Sequence, residues 1–151
     1  MKSERDTDLL NYDVKVLLAV YEALDGKEKF FNFLLKNFPE LAAFVTTIYD
    51  NSHNAYKWLV KNDFRTLAAM LDAMEENNDA FQYLQRADEK TMCFVVKAAL
   101  GDKRSYDWLV ENAKVLAMIA SKIRIIFDTR KRDKKDIFTK FYNFTVGSYK
   151  K

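Results

Sequence analysis

Asn54 to Asn62 reads NAYKWLVKN, and Arg104 to Asn112 reads RSYDWLVEN. The two stretches share an aromatic-x-aromatic-Leu-Val core and stand 50 residues apart, which is two steps of a 25-residue interval. Working outward at that interval, Phe31, Tyr56, Phe81 and Tyr106 form one column. Phe33, Trp58, Tyr83 and Trp108 form a second, and Leu34, Leu59, Leu84 and Leu109 a third. The next column reads Leu35, Val60, Gln85 and Val110. A fixed period of this size marks stacked supersecondary units.

Each unit reads as two short helices. In the first, the aromatic and the Leu are three apart and share a helical face. Asn37, Asn62 and Asn112 stand where that helix should end, and Asn tolerates the left-handed conformation that closes helices. The third unit has Ala87 there, so its helix is expected to end differently. Pro39 suits the first turn of the next helix. The second helices carry apolar stripes: Leu67, Met70, Leu71 and Met74, then Met92, Val95, Val96 and Ala99, then Leu116, Ile119 and Ile123. Phe44, Ala69, Phe94 and Ile119 make one column of mixed size, and Ile48, Ala73, Ala98 and Ile123 another, as interdigitating layers require. Polar turns YDNSHN, EENND and GDKR join the units, with Asp79 and Gln82 at capping-box spacing in the third.

Asp6 to Leu24 reads as one longer amphipathic helix with Leu10, Val14, Leu17, Leu18, Tyr21 and Leu24 on its apolar face and Asp25-Gly26 as its stop. The expected architecture is all-α, a single domain forming a short α-solenoid. Residues 1–26 form an N-terminal capping helix, residues 27–127 about four 25-residue two-helix repeats, and residues 128–151 a basic, aromatic C-terminal segment that caps the other end. The period is shorter than that of tetratricopeptide or HEAT arrays, and neither signature is present.

Composition agrees with a folded helical chain. Of 151 residues, 49% are apolar and 31% charged, with three Gly and one Pro, too few turn formers for a sandwich or barrel. The most apolar stretch, Val115 to Phe127, is interrupted by Lys122 and Arg124, so no membrane span is expected. The opening MKSERDTD has no apolar run, which predicts a cytoplasmic chain without a secretory leader. One Cys and one His exclude a disulfide within the chain, a cysteine zinc cluster and a His-rich metal site.

Charge divides unevenly. Residues 122–151 hold ten Lys or Arg against three Asp, a balance of +7. Residues 1–121 hold 15 basic and 19 acidic residues, a balance of −4, and the two sum to the +3 of the chain. After Phe127 a charged loop, DTRKRDKKD, is expected to lead into a helix bearing Ile137, Phe138, Phe141, Tyr142 and Phe144.

Catalytic chemistry has little support. Cys93 shares its column with Ala43, Ala68 and Met118 and reads as a small interior hydrophobe. His53 falls in a turn with Glu28, Asn78 and Lys103, so a thiol-imidazole pair is not expected. Glu75 and Glu76 read as solvated, and no phosphate loop, GxGxxG or HExxH is present. The expectation is a non-enzymatic protein-protein interaction module without cofactor or metal.

Columns that repeat hold the fold, and columns that vary are free to bind. Asn32, Lys57, Gln82 and Asp107 form one variable column, and Lys36, Lys61, Arg86 and Glu111 another. Lys36, Lys57, Trp58, Lys61, Gln82, Tyr83 and Arg86 are therefore the candidate partner-binding residues, lining a basic groove with aromatic anchors for an acidic protein or peptide. Tyr56 and Tyr106 are placed to show their hydroxyls at its edge, while the aromatic columns otherwise read as packing between units. The alternative is nucleic-acid binding through Arg130, Lys131, Arg132, Lys134, Lys135 and Lys140, with neighbouring aromatics stacking on bases. The expected state is a monomer or a weak self-associate formed by imperfectly capped ends.

Overall fold

The computed structural model describes residues 6–149, with side chains for residues 6–132. The described residues are all-α: a 3-10 turn, Leu9–Asn11, then α1 (Val14–Leu24), α2 (Glu28–Asn37), α3 (Pro39–Asp50), α4 (His53–Lys61), α5 (Arg65–Met74), α6 (Asn78–Arg86), α7 (Lys90–Ala99), α8 (Lys103–Asn112) and α9 (Lys114–Tyr149). Helices α2, α4, α6 and α8 begin at Glu28, His53, Asn78 and Lys103, each 25 residues after the last.

The residue before each start explains the interval. Ser52, Asn77 and Asp102 are N-caps whose side chains accept from the backbone N–H three residues on, at Ala55, Ala80 and Ser105. Lys27, in the same column, makes no such bond. Asn77, not Asp79, thus caps α6. Asp79 lies in the first turn, where a carboxylate favours the helix N-terminus without capping it.

The turns between pairs are equally regular. Gly26, Asn51, Glu76 and Gly101 all have positive φ, at 86°, 55°, 64° and 104°. After α1, α5 and α7 the two backbone bonds of a Schellman motif close the turn, as in Gly26 N to Ala23 O and Lys27 N to Glu22 O. Within the middle pairs the same device recurs at Asp63 and Asp88. The Asn column works differently from its expected role. Asn37 and Asn112 are the last helical residues, and Asn62 has φ −97°. Each side chain instead donates from Nδ2 to the carbonyl four residues back, at Phe33, Trp58 and Trp108, over 2.8–2.9 Å. A short amide that satisfies a terminal carbonyl does not need the left-handed backbone.

Burial sorts the helices into two layers. Leu34, Leu59, Leu84 and Leu109 are wholly buried, each the one buried apolar residue of its helix. Helices α3, α5 and α7 bury five or more each, including Phe44, Ile48, Leu67, Met70, Met92 and Val95. The even-numbered helices are therefore outer. Each packs between two odd-numbered ones: α2 on α1 and α3, α4 on α3 and α5, α6 on α5 and α7, α8 on α7 and α9.

Two terminal expectations are corrected. Asp6 to Leu24 is not one helix, because Asp8 and Asp13 each cap a new start and Tyr12 is extended between them. The apolar face of α1 is also rotated. Val16, Leu17, Val20 and Leu24 are buried, whereas Leu10, Val14 and Leu18 are exposed. At the other end no loop follows Phe127: α9 is a single helix of 36 residues, about 54 Å long. The charged run carries no Gly or Pro, and Lys and Arg are good helix formers, so nothing stops the helix there. The expected helix stripe from Ile137 to Phe144 falls beyond the described side chains. Helix α9 also packs on α1 and α3, a contact that an open stack of pairs does not make.

The strand before α1 ties the ends of the inner helices. The buried Asp6 carboxylate accepts from Thr66 N at 2.9 Å and Thr66 Oγ1 at 3.2 Å, at the start of α5. Tyr12 Oη donates to Glu40 Oε1 at 2.8 Å in the first turn of α3. Burial, then the hydrogen bond to Glu40, pushes the Tyr12 phenol well above its ordinary value.

Candidate binding surface

The outer helices carry large apolar side chains in water. Phe33, Trp58 and Tyr83 are 43%, 38% and 40% exposed, and Leu35, Val60 and Val110 are also exposed. Trp58 lies flat against Phe64 at 5.8 Å, and Phe33 meets Phe38 at 6.1 Å with the rings tilted by 53°, each on the turn of its own unit. Trp108 alone of the column reaches across, stacking on Phe94 of the previous unit at 4.3 Å. A helix that buries one Leu has a narrow buried face, so residues one position either side of that Leu stand on its margins.

Lys36, Lys57, Lys61 and Arg86 are exposed, and Gln82 is half-buried, accepting from Arg86 Nη2 at 3.4 Å. None of them lines the groove that the structure does form. That groove, of about 600 Å³, runs between α4 and α6 over α5. Tyr56, Val60, Ala80 and Tyr83 form its walls and Ala68 and Ala69 its floor. Its charged lining is Asp63, Asp72 and Asp79 with Arg65. Of the expected partner residues, only Tyr83 faces it; the basic ones ride the crests of the outer helices.

The groove exists because Ala69 is small. The same column holds Phe44 in α3, Phe94 in α7 and Ile119 in α9. Phe94 in α7 stacks on Trp108 of α8 at 4.3 Å. The mixed-size column is visible in the sequence but its consequence is not, since a column does not show which face it fills. Tyr56 Oη donates to Asp72 Oδ2 at 2.7 Å across the groove's inner end. Burial, then that hydrogen bond, pushes the Tyr56 phenol up to about 12.

The basic C-terminal residues divide. Helix α9 delivers three cations to the carbonyl ends of inner helices, where the helix dipole favours positive charge. Lys122 Nζ pairs with Asp25 Oδ1 at 2.8 Å beyond α1, and Arg130 donates to the Ile48 carbonyl near the end of α3. Arg124 lies against Gly101 after α7, where a Cβ on the glycine would meet its Nη1 at 3.0 Å. The Lys122 contact holds the Asp25 carboxyl below its usual range. Arg130 also sits over the Phe127 ring and lines a cleft of about 390 Å³ with His53, Tyr56, Asp72 and Glu75. Lys131 and Arg132 are exposed. Lys134, Lys135 and Lys140 lie outside the described side chains.

Cys93 is buried in α7, and burial raises its thiol above the ordinary value. His53 is exposed at the start of α4, stacked on Tyr56 at 6.1 Å. Among the described residues no group of three or more His, Cys, Asp or Glu is arranged to hold a metal ion. No described helix is long and apolar enough to cross a membrane. No family model, no curated protein and no solved structure matches the chain.

Proposed function

We propose that this chain is a non-enzymatic protein-interaction module built on a helical-repeat scaffold: four 25-residue helix pairs whose ends are brought together by α9 rather than left open. The reading is carried by the outer surface. Phe33, Trp58 and Tyr83, with Leu35 and Val60, hold apolar area in water at matching positions on successive outer helices. Scattered exposed apolar residues need no explanation, but a row of them at a fixed register offers one continuous strip. Half-exposed aromatics backed by other rings are rigid and lose little entropy on binding, which suits anchors. The crest cations Lys36, Lys57, Lys61 and Arg86 border this strip and bias its choice of partner.

The test immobilises the intact protein and a Trp58→Ser/Tyr83→Ser variant in host lysate, with and without nuclease. One protein retained under both conditions, and lost with the variant, supports the module and its face. Retention that disappears with nuclease overturns it. That outcome favours phosphate contacts by the C-terminal basic residues, and such binding weakens steeply between about 50 and 200 mM salt.

A further inference from the structure

The chain contains a segment whose chemistry complements its own groove. From Lys131 to Ser148 there are five Lys or Arg and two Asp, interleaved with Phe138, Phe141, Tyr142 and Phe144. The groove between α4 and α6 has the opposite character: three carboxylates against one guanidinium, with tyrosine walls and an alanine floor. Arg65 stands 3.9 Å from Asp63, and its charge offsets one carboxylate, so the lining is net acidic. The cations nearest the body, Lys122 and Arg130, are occupied at helix ends, whereas Lys131 and Arg132 are exposed.

A chain cannot satisfy this complementarity within itself while α9 is unbroken. From Arg130 the helix runs 19 further residues to Tyr149, about 28 Å along one axis. An unbroken helix does not turn back onto the outer side of α5. We propose that the groove between α4 and α6 is the docking site for the basic, aromatic C-terminal segment, residues 131–148, of a second copy of this chain. The contact is head-to-tail: each copy offers one groove and one segment, so association continues to larger species unless a ring closes. Aromatic residues of the segment supply apolar burial against the tyrosine walls and alanine floor, while its Lys and Arg meet the acidic lining. This deepens the interaction reading above, on which it rests, by naming a partner and the part of the outer face, walled by Val60 and Tyr83, that it covers.

Sedimentation of the full-length chain from about 10 to 300 μM tests it. The expected result is a weight-average mass that rises with concentration. The association constant should fall at least tenfold between about 50 and 500 mM salt, because exposed ion pairs are screened. Two full-length variants locate the halves of the contact. Ala69→Phe installs on the groove floor the residue that α3 and α7 already use in that column, and Lys134→Glu/Lys135→Glu/Lys140→Glu reverses the segment. Each alone should weaken self-association at least tenfold. Mixed in equal amounts, they should form a heterodimer that grows no further, since one retains a working segment and the other a working groove. A monomer throughout the range overturns the proposal, as does association unchanged by either variant. Because capture from lysate by the intact chain is read separately, a monomeric chain that still retains a lysate protein leaves the module standing and removes only the self-docking.

Discussion

Replacing Asp6 by Ala tests a contact that joins residues 60 positions apart. The Asp6 carboxylate accepts two hydrogen bonds at the start of α5, from Thr66 N at 2.9 Å and Thr66 Oγ1 at 3.2 Å, and Thr66 is wholly buried. Helix α5 has Phe64 at its N-cap, with no capping side chain of its own, so Asp6 does that work from 60 residues away. Two effects add in one direction. Hydrogen bonds to a charged acceptor contribute about 1.5–3 kcal/mol. A carboxylate at a helix N-terminus contributes about 0.3–1 kcal/mol. Removing the acceptor also leaves two buried donors unsatisfied, already part of the first figure and not to be counted twice. The expected loss for Asp6→Ala is about 2–3 kcal/mol. Asp6→Asn, which keeps an acceptor but loses the charge, should cost about half as much. Thr66→Val removes only the hydroxyl and should cost about 1 kcal/mol. Urea unfolding followed by circular dichroism measures all three, with a shift of about 2–4 °C in Tm per kcal/mol expected for a chain of this size. A double-mutant cycle should show coupling of at least about 0.5 kcal/mol. A loss under about 0.5 kcal/mol for Asp6→Ala would refute the cap, and strict additivity with Thr66→Val would refute the Thr66 Oγ1 bond alone.

Leu84 is wholly buried and is the single buried residue of α6, so Leu84→Ala should cost about 2–4 kcal/mol. Lys57→Ala, at an exposed position, should cost less than about 0.5 kcal/mol, and equal thermal shifts for the two would contradict the register. Glu76 holds φ 64° where Gly26 and Gly101 stand in the same column. Glu76→Gly should therefore stabilise the chain by about 0.5–1 kcal/mol, read as a higher urea midpoint, while the same exchange at Glu75 should destabilise it. The Tyr56 phenol is raised from 10.0 to about 12 by burial and by its bond to Asp72, and Tyr12 is raised as well. Folding thus favours the neutral phenols. Their contribution is full below pH 10 and is lost as pH climbs through the folded values. Absorbance at 295 nm should show Tyr12 and Tyr56 ionising above the ordinary phenol range.

Local chemistry is legible in the amino-acid order alone. The 25-residue interval, the buried Leu column, the polar turns, the Pro39 helix start and the interior Cys93 all follow from spacing, because a helix repeats its faces every few residues and a turn needs particular side chains. Where spacing misleads locally, two chemistries compete for one residue type. The Asn residues at the ends of outer helices are legible as terminators, but their amides satisfy carbonyls instead of adopting a left-handed backbone. The N-cap column Ser52, Asn77 and Asp102 lies in plain view in the turns, yet capping-box spacing points to Asp79, two residues too late.

The candidate surface is only partly legible. The variable basic columns do fall on the exposed side of the outer helices, yet the groove lies beside them and is acidic. Which crest faces a groove depends on how α4 and α6 straddle α5, and on Ala69 standing where neighbours have Phe.

By itself, then, the sequence determined that the chain is helical, the 25-residue interval of the outer helices and the Leu that each of them buries. These are short-range matters, decided within one or two turns. Only the tertiary structure decided that α9 runs unbroken through the charged segment, that it meets α1, that Asp6 caps α5 and that Arg130 reaches the end of α3. Those last two contacts join residues 60 and 82 positions apart. No local pattern records them, because each joins segments that only the folded chain brings together.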